Sequence, residues 1–341
     1  MKKVLIFTDN HFCETSSVLR QFGVKYSLRL ENQIESLNWL EKLAIERGCT
    51  AVICAGDFFD KPNLTDSELT ALQDIAWNDL PHFFLVGNHE SSVNGLRFNS
   101  TKALESSKRK IISEPTSAMA NGTEICFLPY VIESDRKPVS DYFGEKRGKR
   151  IIISHNDLLG IQMGPIVSKT GFAIEDLEAN ADLIINGHLH NGQRISNKII
   201  NLGNLTGQNF GEDALRYKHN VMILDVDDLS FELIENPFAF NFYKIEIKDK
   251  ADSLKLRQLK SNAVVSISCA DDLLAECKTV LGKLSNIICS RLIVFKRPTN
   301  ENGDANKMDF SVDYIAKFIA CARNACENNK ILEEELNEIC H

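Results

Sequence analysis

The chain of 341 residues holds no run approaching the roughly 18 consecutive apolar residues that a membrane-spanning helix needs. Its start, Met1-Lys2-Lys3 followed by Val4-Leu5-Ile6-Phe7, has the charge of a signal peptide but not the length. Thr8-Asp9-Asn10-His11 interrupts it after four apolar residues, whereas an h-region takes roughly 7–15. The run reads as a first core strand. None of the ten cysteines stands in a Cys-x-x-Cys pair, which excludes a zinc ribbon or a dithiol motif. Cys54, inside Ala51-Val52-Ile53-Cys54, is expected as a reduced buried thiol, and a reducing cytoplasm is the simplest location for such a chain. No Gly-x-x-x-x-Gly-Lys-Ser/Thr occurs, so this sequence carries no P-loop nucleotide site. Internal repeats and long low-complexity segments are absent too. Positive charge is in short supply: 39 Lys and Arg stand against 47 Asp and Glu, a net charge of −8. The global field therefore does not draw a nucleic acid.

Cations do gather locally. Residues 136–150 carry six against two acids, and residues 244–260 six against three. Residues 94–110 contain Arg97, Lys102, Lys108, Arg109 and Lys110, while 301–341 is acidic, with four cations against nine acids. Such patches are either solvated faces or local grips on a polyanion.

Along the chain, a short apolar run at 4–8 precedes helical spacing over 27–47 (Leu30, Ile34, Leu37, Leu40, Ile45), closed by Gly48. A strand at 51–55, a helix across 66–77 and a strand at 82–86 continue a βαβαβ rhythm, which argues for a parallel sheet with crossover helices. Five further short strands are predicted, at 125–128, 151–154, 183–186, 199–202 and 221–226. Together they point to an α/β fold with two stacked mixed β-sheets flanked by helices. Past Asn236-Pro237, strands at 242–247 and 291–295 with a helix at 271–283 suggest a small α/β appendage. A polar linker at 298–307 and a helical tail at 311–338 complete the division: 1–236, 237–298 and 299–341. The tail places Val312, Ile315, Ile319, Ala322 and Ala325 near helical spacing.

What stands at the strand ends carries the chemistry. The first strand runs into Asp9-Asn10-His11, the second into Gly56-Asp57-Phe58-Phe59-Asp60, the third into Gly87-Asn88-His89-Glu90. His155 follows 151–154, and Gly187-His188-Leu189-His190 follows 183–186. Ligands of sheets with parallel strands gather outside the carboxyl ends. Five of the eight histidines (11, 89, 155, 188, 190) fall there. Carboxylate oxygen and neutral imidazole suit divalent first-row metals. In Asp-x-His and His-x-His on an extended backbone, both side chains project to one side. One carboxylate can bridge two ions roughly 3.5–4 Å apart, and Asp57, beside a glycine, is the natural bridge. Taken singly, each motif is as well explained by a turn, a helix cap or a surface histidine. All five in this order mark a site.

This series resembles the calcineurin-like metallophosphoesterase family over roughly residues 1–235. Within that family, Gly-Asp-Phe-Phe-Asp and Ile200-Asn201-Leu202-Gly203-Asn204-Leu205 look like the SbcD-type recombination nucleases, with Leu202-Gly203-Asn204 standing where Pro-Gly-Ser is usual. In size the chain is similar to phage-encoded versions. The resemblance implies a four-layer sandwich holding two divalent metal ions, manganese in the first instance. One ion would take Asp9, His11, Asp57 and His190. The other would take Asp57, Asn88, His155 and His188. His89 would face the scissile phosphate and help protonate the leaving oxygen, and Asp60 would orient a ligand histidine or a substrate group. It further implies a DNA exo- or endonuclease acting in recombination, repair or replication. Residues 237–298 would cap DNA, an SbcC-type ATPase would be the partner, and a homodimer would form. Against these stand a phosphatase or small-molecule phosphodiesterase using the same ions, and a non-catalytic scaffold of the same fold.

Overall fold

The computed structural model describes residues 2–92, 95–163 and 166–296. The linker and terminal helix expected over 299–341 lie outside the described residues, as does the side chain of Arg97. Four parallel strands open the fold: β1 (Lys3–Phe7), β2 (Ala51–Cys54), β3 (His82–Leu85) and β4 (Arg109–Ile112). β1 and β2 read as unbroken apolar runs because both of their faces are buried. Leu5, Phe7, Val52 and Cys54 face a first helix, α1 (Leu28–Glu46), whereas Val4, Ile6, Ala51 and Ile53 face a second sheet.

α1 forms where its periodicity predicts. Ser27 caps it by accepting the Leu30 N–H at 3.2 Å, and Gly48, at φ +66°, lets the chain turn away after it. Leu30, Ile34, Leu37, Leu40 and Ala44 lie buried against the sheet, at about 1.5–3 kcal/mol for each large side chain. The helix expected across 66–77 is shorter: α2 covers Asp66–Ala71, a 3-10 turn covers Leu72–Asp74, and Ile75 is already extended. Asn38 Oδ1 accepts the Ala76 N–H at 2.7 Å, and Trp77 packs its ring on Phe58 and Phe84, so tertiary partners end the helix before its spacing does.

The second sheet follows: β5 (Thr116–Ala120), β6 (Thr123–Leu128), β7 (Lys149–Ser154), β8 (Leu183–Asn186), β9 (Gln193–Arg194) and β10 (Ile199–Asn201). Its spatial order is β9-β10-β8-β7-β6-β5, with β6, β7, β8 and β10 parallel and the two edge strands antiparallel. Ile151, Ile153 and Ile185 point into the layer between the sheets. Ile152 and Ile184 point outward beneath α3 (Val139–Phe143) and α4 (Ile174–Asn180), with Val139 and Leu177. The chain then returns to the first sheet, where β11 (Asn220–Asp225) pairs antiparallel with β1 and β12 (Phe231–Glu235) with β11. The result is helix, sheet, sheet, helix. The carboxyl ends of the parallel strands of both sheets meet on one rim.

After Asn236 a third sheet forms with its own apolar core: β13 (Asn241–Ile247), β14 (Ala263–Ala270) and β15 (Ile287–Phe295), all parallel. The sequence reading places two strands here. The structure adds β14 between them as the central strand, and it shortens the expected helix at 271–283 to α5 (Leu274–Leu281) after a 3-10 turn at Asp271–Leu273. The described cysteines are all free, and no helix among the described residues is long and apolar enough to cross a membrane.

Candidate metal centre

The rim is built by backbone that leaves regular geometry. Seven described non-glycine residues have positive φ, and four of them are Asp9 (50°), His11 (47°), Asp57 (47°) and His188 (75°). A left-handed L-residue costs about 1–2 kcal/mol, so the surroundings must impose it. They do so by extending the β1–β2 ladder past the strand ends: Asp9 N–H donates to the Gly56 carbonyl (3.0 Å) and His11 N–H to the Asp57 carbonyl (3.0 Å). Two glycines are steric requirements. A Cβ at Gly56, itself at φ +107°, would lie 2.2 Å from His155 Nδ1, and one at Gly87 would lie 2.1 Å from Asp57 Oδ1.

Each side chain is then held by one atom and left free at another. Asp9 Oδ2 accepts from Thr8 Oγ1 (2.6 Å) and the His188 N–H (3.0 Å), while its buried Oδ1 has no hydrogen-bond partner. His11 Nδ1 donates to Asp60 Oδ1 at 3.0 Å, leaving Nε2 without a hydrogen-bond partner, 3.7 Å from Asp9 Oδ1 and 3.8 Å from Asp57 Oδ2. His155 Nδ1 donates to the Ala55 carbonyl at 2.8 Å, which turns Nε2 to Asp57 Oδ2 at 3.0 Å. His190 Nδ1 donates to Glu212 Oε1 at 3.0 Å. His188 donates instead from Nε2, to Asp157 Oδ1 at 2.9 Å, and turns Nδ1 to Asn88 Oδ1 at 3.0 Å.

Ligand atoms of Asp9, His11 and His190 lie within 4.8 Å of one another, and so do those of Asp57, His155 and His188. Carboxylate oxygens and ring nitrogens thus converge on two points, and Asp9 Oδ1, His11 Nε2 and His155 Nε2 are buried there without a hydrogen-bond partner. A buried acceptor left in that state costs about 1–3 kcal/mol. The donor set of carboxylate, imidazole and amide oxygen is that of a divalent transition metal. The residues therefore fit two cations sharing Asp57. The electrostatics agree. Burial raises the cost of charge on Asp9 and Asp57, yet His155 and its neighbours hold both below the usual carboxylate range, Asp57 at about 2. Burial pushes His11 and His155 down, but the hydrogen bond that His11 gives to Asp60, with the nearby carboxylates of Asp9 and Asp57, lifts His11 to about 10, and the charges of Asp57 and Asp9 lift His155 to about 9. The site is built to receive positive charge.

His89 stands apart. Its ring is edge-on to that of His11 at 4.6 Å, and 41% of its side chain is exposed. Its Nδ1 donates to the Asp60 carbonyl at 3.0 Å and its N–H to Asp57 Oδ1 at 3.0 Å, leaving Nε2 for the cleft. It also groups with His11 and Asp57 within 4.8 Å. Asp60 thus supports His11 through its carboxylate and His89 through its backbone. The cleft over these residues measures about 440 Å³ and is lined by Asp57, His89, His188, His190, Asn191 and Glu212 among others.

Sequence reasoning missed three carboxylates. Asp157 stands two residues after His155, a His-x-Asp spacing that was there to be read. Glu212 follows His190 by 22 residues in a loop, where no spacing announces it; its Oε2 is fixed by Asn204 (2.9 Å) and the Gln208 N–H (2.8 Å). Glu90 closes the quartet Gly87-Asn88-His89-Glu90, but it acts as a clamp: its oxygens accept the N–H groups of Phe59 (3.0 Å) and Gly87 (2.8 Å), and burial pushes it up to about 8. Four of the six cations in 136–150 hold partners within the chain. Arg150 is buried on Glu124 (2.7 Å) and carbonyls, Arg136 bonds Asp157 (3.0 Å), Lys146 bonds Asp182 (3.0 Å), and Lys149 reaches the Asp227 carbonyl.

Fold and site together define a double-sheet sandwich whose rim carries candidate ligands for divalent cations. The profile of the family described as calcineurin-like phosphoesterase matches residues 2–192, and the chain belongs to that family, whose members use divalent metals. Among curated proteins it is similar to "Putative phosphoesterase 078R" of Invertebrate iridescent virus 3, at 24% identity over 164 residues, 46% of this chain and 45% of that protein. The chain thus spans under half the length of that curated relative. Among solved structures it is similar to TT1561 of Thermus thermophilus (12% identity, TM-score 0.43, 69% of this chain and 98% of that one). It is also similar to a dimetal phosphatase from Danio rerio (12% identity, TM-score 0.38, 69% of this chain and 99% of that one).

Proposed function

We propose that this protein is a two-ion phosphodiesterase that cleaves nucleic acid, DNA in the first instance. The observation that carries the reading is the set of buried atoms without hydrogen-bond partners, Asp9 Oδ1, His11 Nε2 and His155 Nε2, arrayed around the shared Asp57. Asp9, His11, Asp57 and His190 would hold one ion, and Asp57, Asn88, His155 and His188 the other. Manganese is the ion proposed. When bound, the two ions neutralise phosphate oxygens and lower the pKa of water. The chain's own part is to place and protonate. His89, fixed through Nδ1 by Asp60, presents Nε2 to the cleft, where it hydrogen-bonds the phosphate and delivers a proton to the departing ester oxygen. Glu212, Asp60 and Ala55 accept from Nδ1 of three histidines, which leaves Nε2 of each as the atom that would take an ion.

A phosphomonoester substrate is the second reading. It is favoured by the net charge of −8 and by the internal use of most cations in 136–150. An SbcC-type ATPase on a separate chain, docking through residues 299–341, and a homodimer extend the proposal by resemblance. The deciding assay uses purified protein with manganese, magnesium or chelator on labelled single- and double-stranded DNA, with bis(p-nitrophenyl) phosphate and a phosphomonoester as controls. Diester cleavage that needs a divalent ion is expected. Fast phosphomonoester hydrolysis with intact DNA would replace the first reading by the second.

A further inference from the structure

Beside the metal cleft a second cleft of about 300 Å³ opens between β9, at the edge of the second sheet, and β11 and β12, at the edge of the first. Gln193 lines both clefts and stands three residues after His190, so the two adjoin. The lining of the second carries three cations, Arg194, Arg216 and Lys218, and no carboxylate. In a chain of net charge −8 that is a local reversal of sign. The nearest acids hold two of these cations loosely. Arg216 lies 3.8 Å from Asp213 and Lys218 lies 3.7 Å from Glu235, with the cations' side chains 78% and 64% exposed. Exposed pairs of this kind contribute about 0–1 kcal/mol. Arg194 donates to the carbonyls of Ser196 (3.1 Å) and Asn197 (3.2 Å), which orders the guanidinium without neutralising it. The same lining holds the apolar side chains of Ile200, Leu202, Phe231 and Leu233. An anionic group joined to a flat apolar body fits such a cleft, and that is the chemistry of a nucleotide.

We propose that the second cleft binds a nucleotide unit of a polynucleotide whose scissile phosphate lies at the metal centre. Arg194, Arg216 and Lys218 take the neighbouring phosphate, and the apolar part of the lining takes the base or sugar. The inference rests on the phosphodiesterase reading and narrows it, because a lone phosphomonoester would leave this cleft unused.

The test is the triple variant Arg194→Ala/Arg216→Ala/Lys218→Ala, whose sites are exposed and lie outside the metal centre. Binding of a labelled single-stranded DNA oligonucleotide is followed by fluorescence anisotropy in chelator across a salt series. Loss of the grip on that one phosphate lowers the slope of log K against log salt by about 0.7, and affinity at low salt falls by roughly tenfold. With manganese, KM for the oligonucleotide rises while cleavage of bis(p-nitrophenyl) phosphate stays within about twofold of wild type. An unchanged salt slope and affinity in the variant overturns the proposal, as does a wild-type protein that hydrolyses the small diester but does not bind the oligonucleotide. A wild-type protein that binds DNA with this salt dependence yet hydrolyses no ester would instead sink the metal reading and leave the cleft assignment standing.

Discussion

Asp157 holds His188 by the opposite nitrogen from the other three candidate ligand histidines. Its Oδ1 accepts from His188 Nε2 at 2.9 Å, whereas His11, His155 and His190 each donate from Nδ1. Asp157 is itself anchored by Arg136 Nη2 at 3.0 Å, and its hydrogen bond with His188 outweighs burial in keeping it ionised. His188 is therefore expected to ligate through Nδ1. Replacing Asp157 with Ala releases that tautomer and should weaken one of the two ions by about 10- to 100-fold while sparing the other. Isothermal titration with manganese reads the two affinities, and nitrogen NMR of the zinc form reads the tautomers. Equal affinities and an unchanged His188 tautomer would show Asp157 to be passive.

His89 and Asp57 should separate chemistry from binding. His89→Ser is expected to lower kcat by about 10²–10⁴-fold with metal stoichiometry intact, because it removes a proton donor and no ligand. Asp57→Asn should abolish cleavage and weaken both ions together, since the shared carboxylate serves each. Metal content after gel filtration, measured beside the rate, tells the two variants apart. A His89→Ser protein that loses an ion would move His89 among the ligands.

Metal affinity should climb with pH. His11, at about 10, and His155, at about 9, hold ring protons near neutrality in the field of Asp57, Asp9 and Asp60. A cation must displace those protons, so binding releases them and tightens as pH rises toward these values. Titrations in buffers of different ionisation enthalpy count the protons set free. A count of zero near neutral pH would contradict the arrangement.

His219 gives the fold a sensitivity to acid. It is buried, its Nδ1 lies 2.9 Å from Asn204 Oδ1, and burial holds its pKa below 6.5. The unfolded chain takes up a proton as pH falls below about 6.5, while the folded protein resists doing so. Stability is thus lost on acidification through that range and is unaffected above it. Thermal unfolding followed from neutral to mildly acidic pH should show the decline, and His219→Gln should flatten it.

Much of this protein was legible before folding because its chemistry sits where its periodicity stops. Each apolar run ended in a short polar motif, and a parallel strand can do little with Asp, Asn or His at its carboxyl end except offer them to a ligand. What escaped notice had no such punctuation. β4 begins Arg109-Lys110, which reads as a basic loop until Arg109 Nε is seen on the Leu104 carbonyl (2.7 Å) and its guanidinium over Trp77 at 5.0 Å. β14, Ala-Val-Val-Ser-Ile-Ser-Cys-Ala, mixes small and polar residues into a central strand, so its run of large apolar side chains is short. Glu212 was invisible for a different reason: a long loop carries it to His190, and only tertiary structure sets that distance.

The order in which strands join the first sheet has a consequence for synthesis. β1 has β2 on one side early, but its other neighbour is β11, encoded more than two hundred residues later. Until Asn220–Asp225 leaves the ribosome, the backbone of Val4–Phe7 presents an open, apolar ladder edge, the kind that recruits foreign strands. A nascent chain of this protein therefore carries an unpaired first strand edge until Asn220–Asp225 is made, and loses it only when the sheet closes over its own beginning.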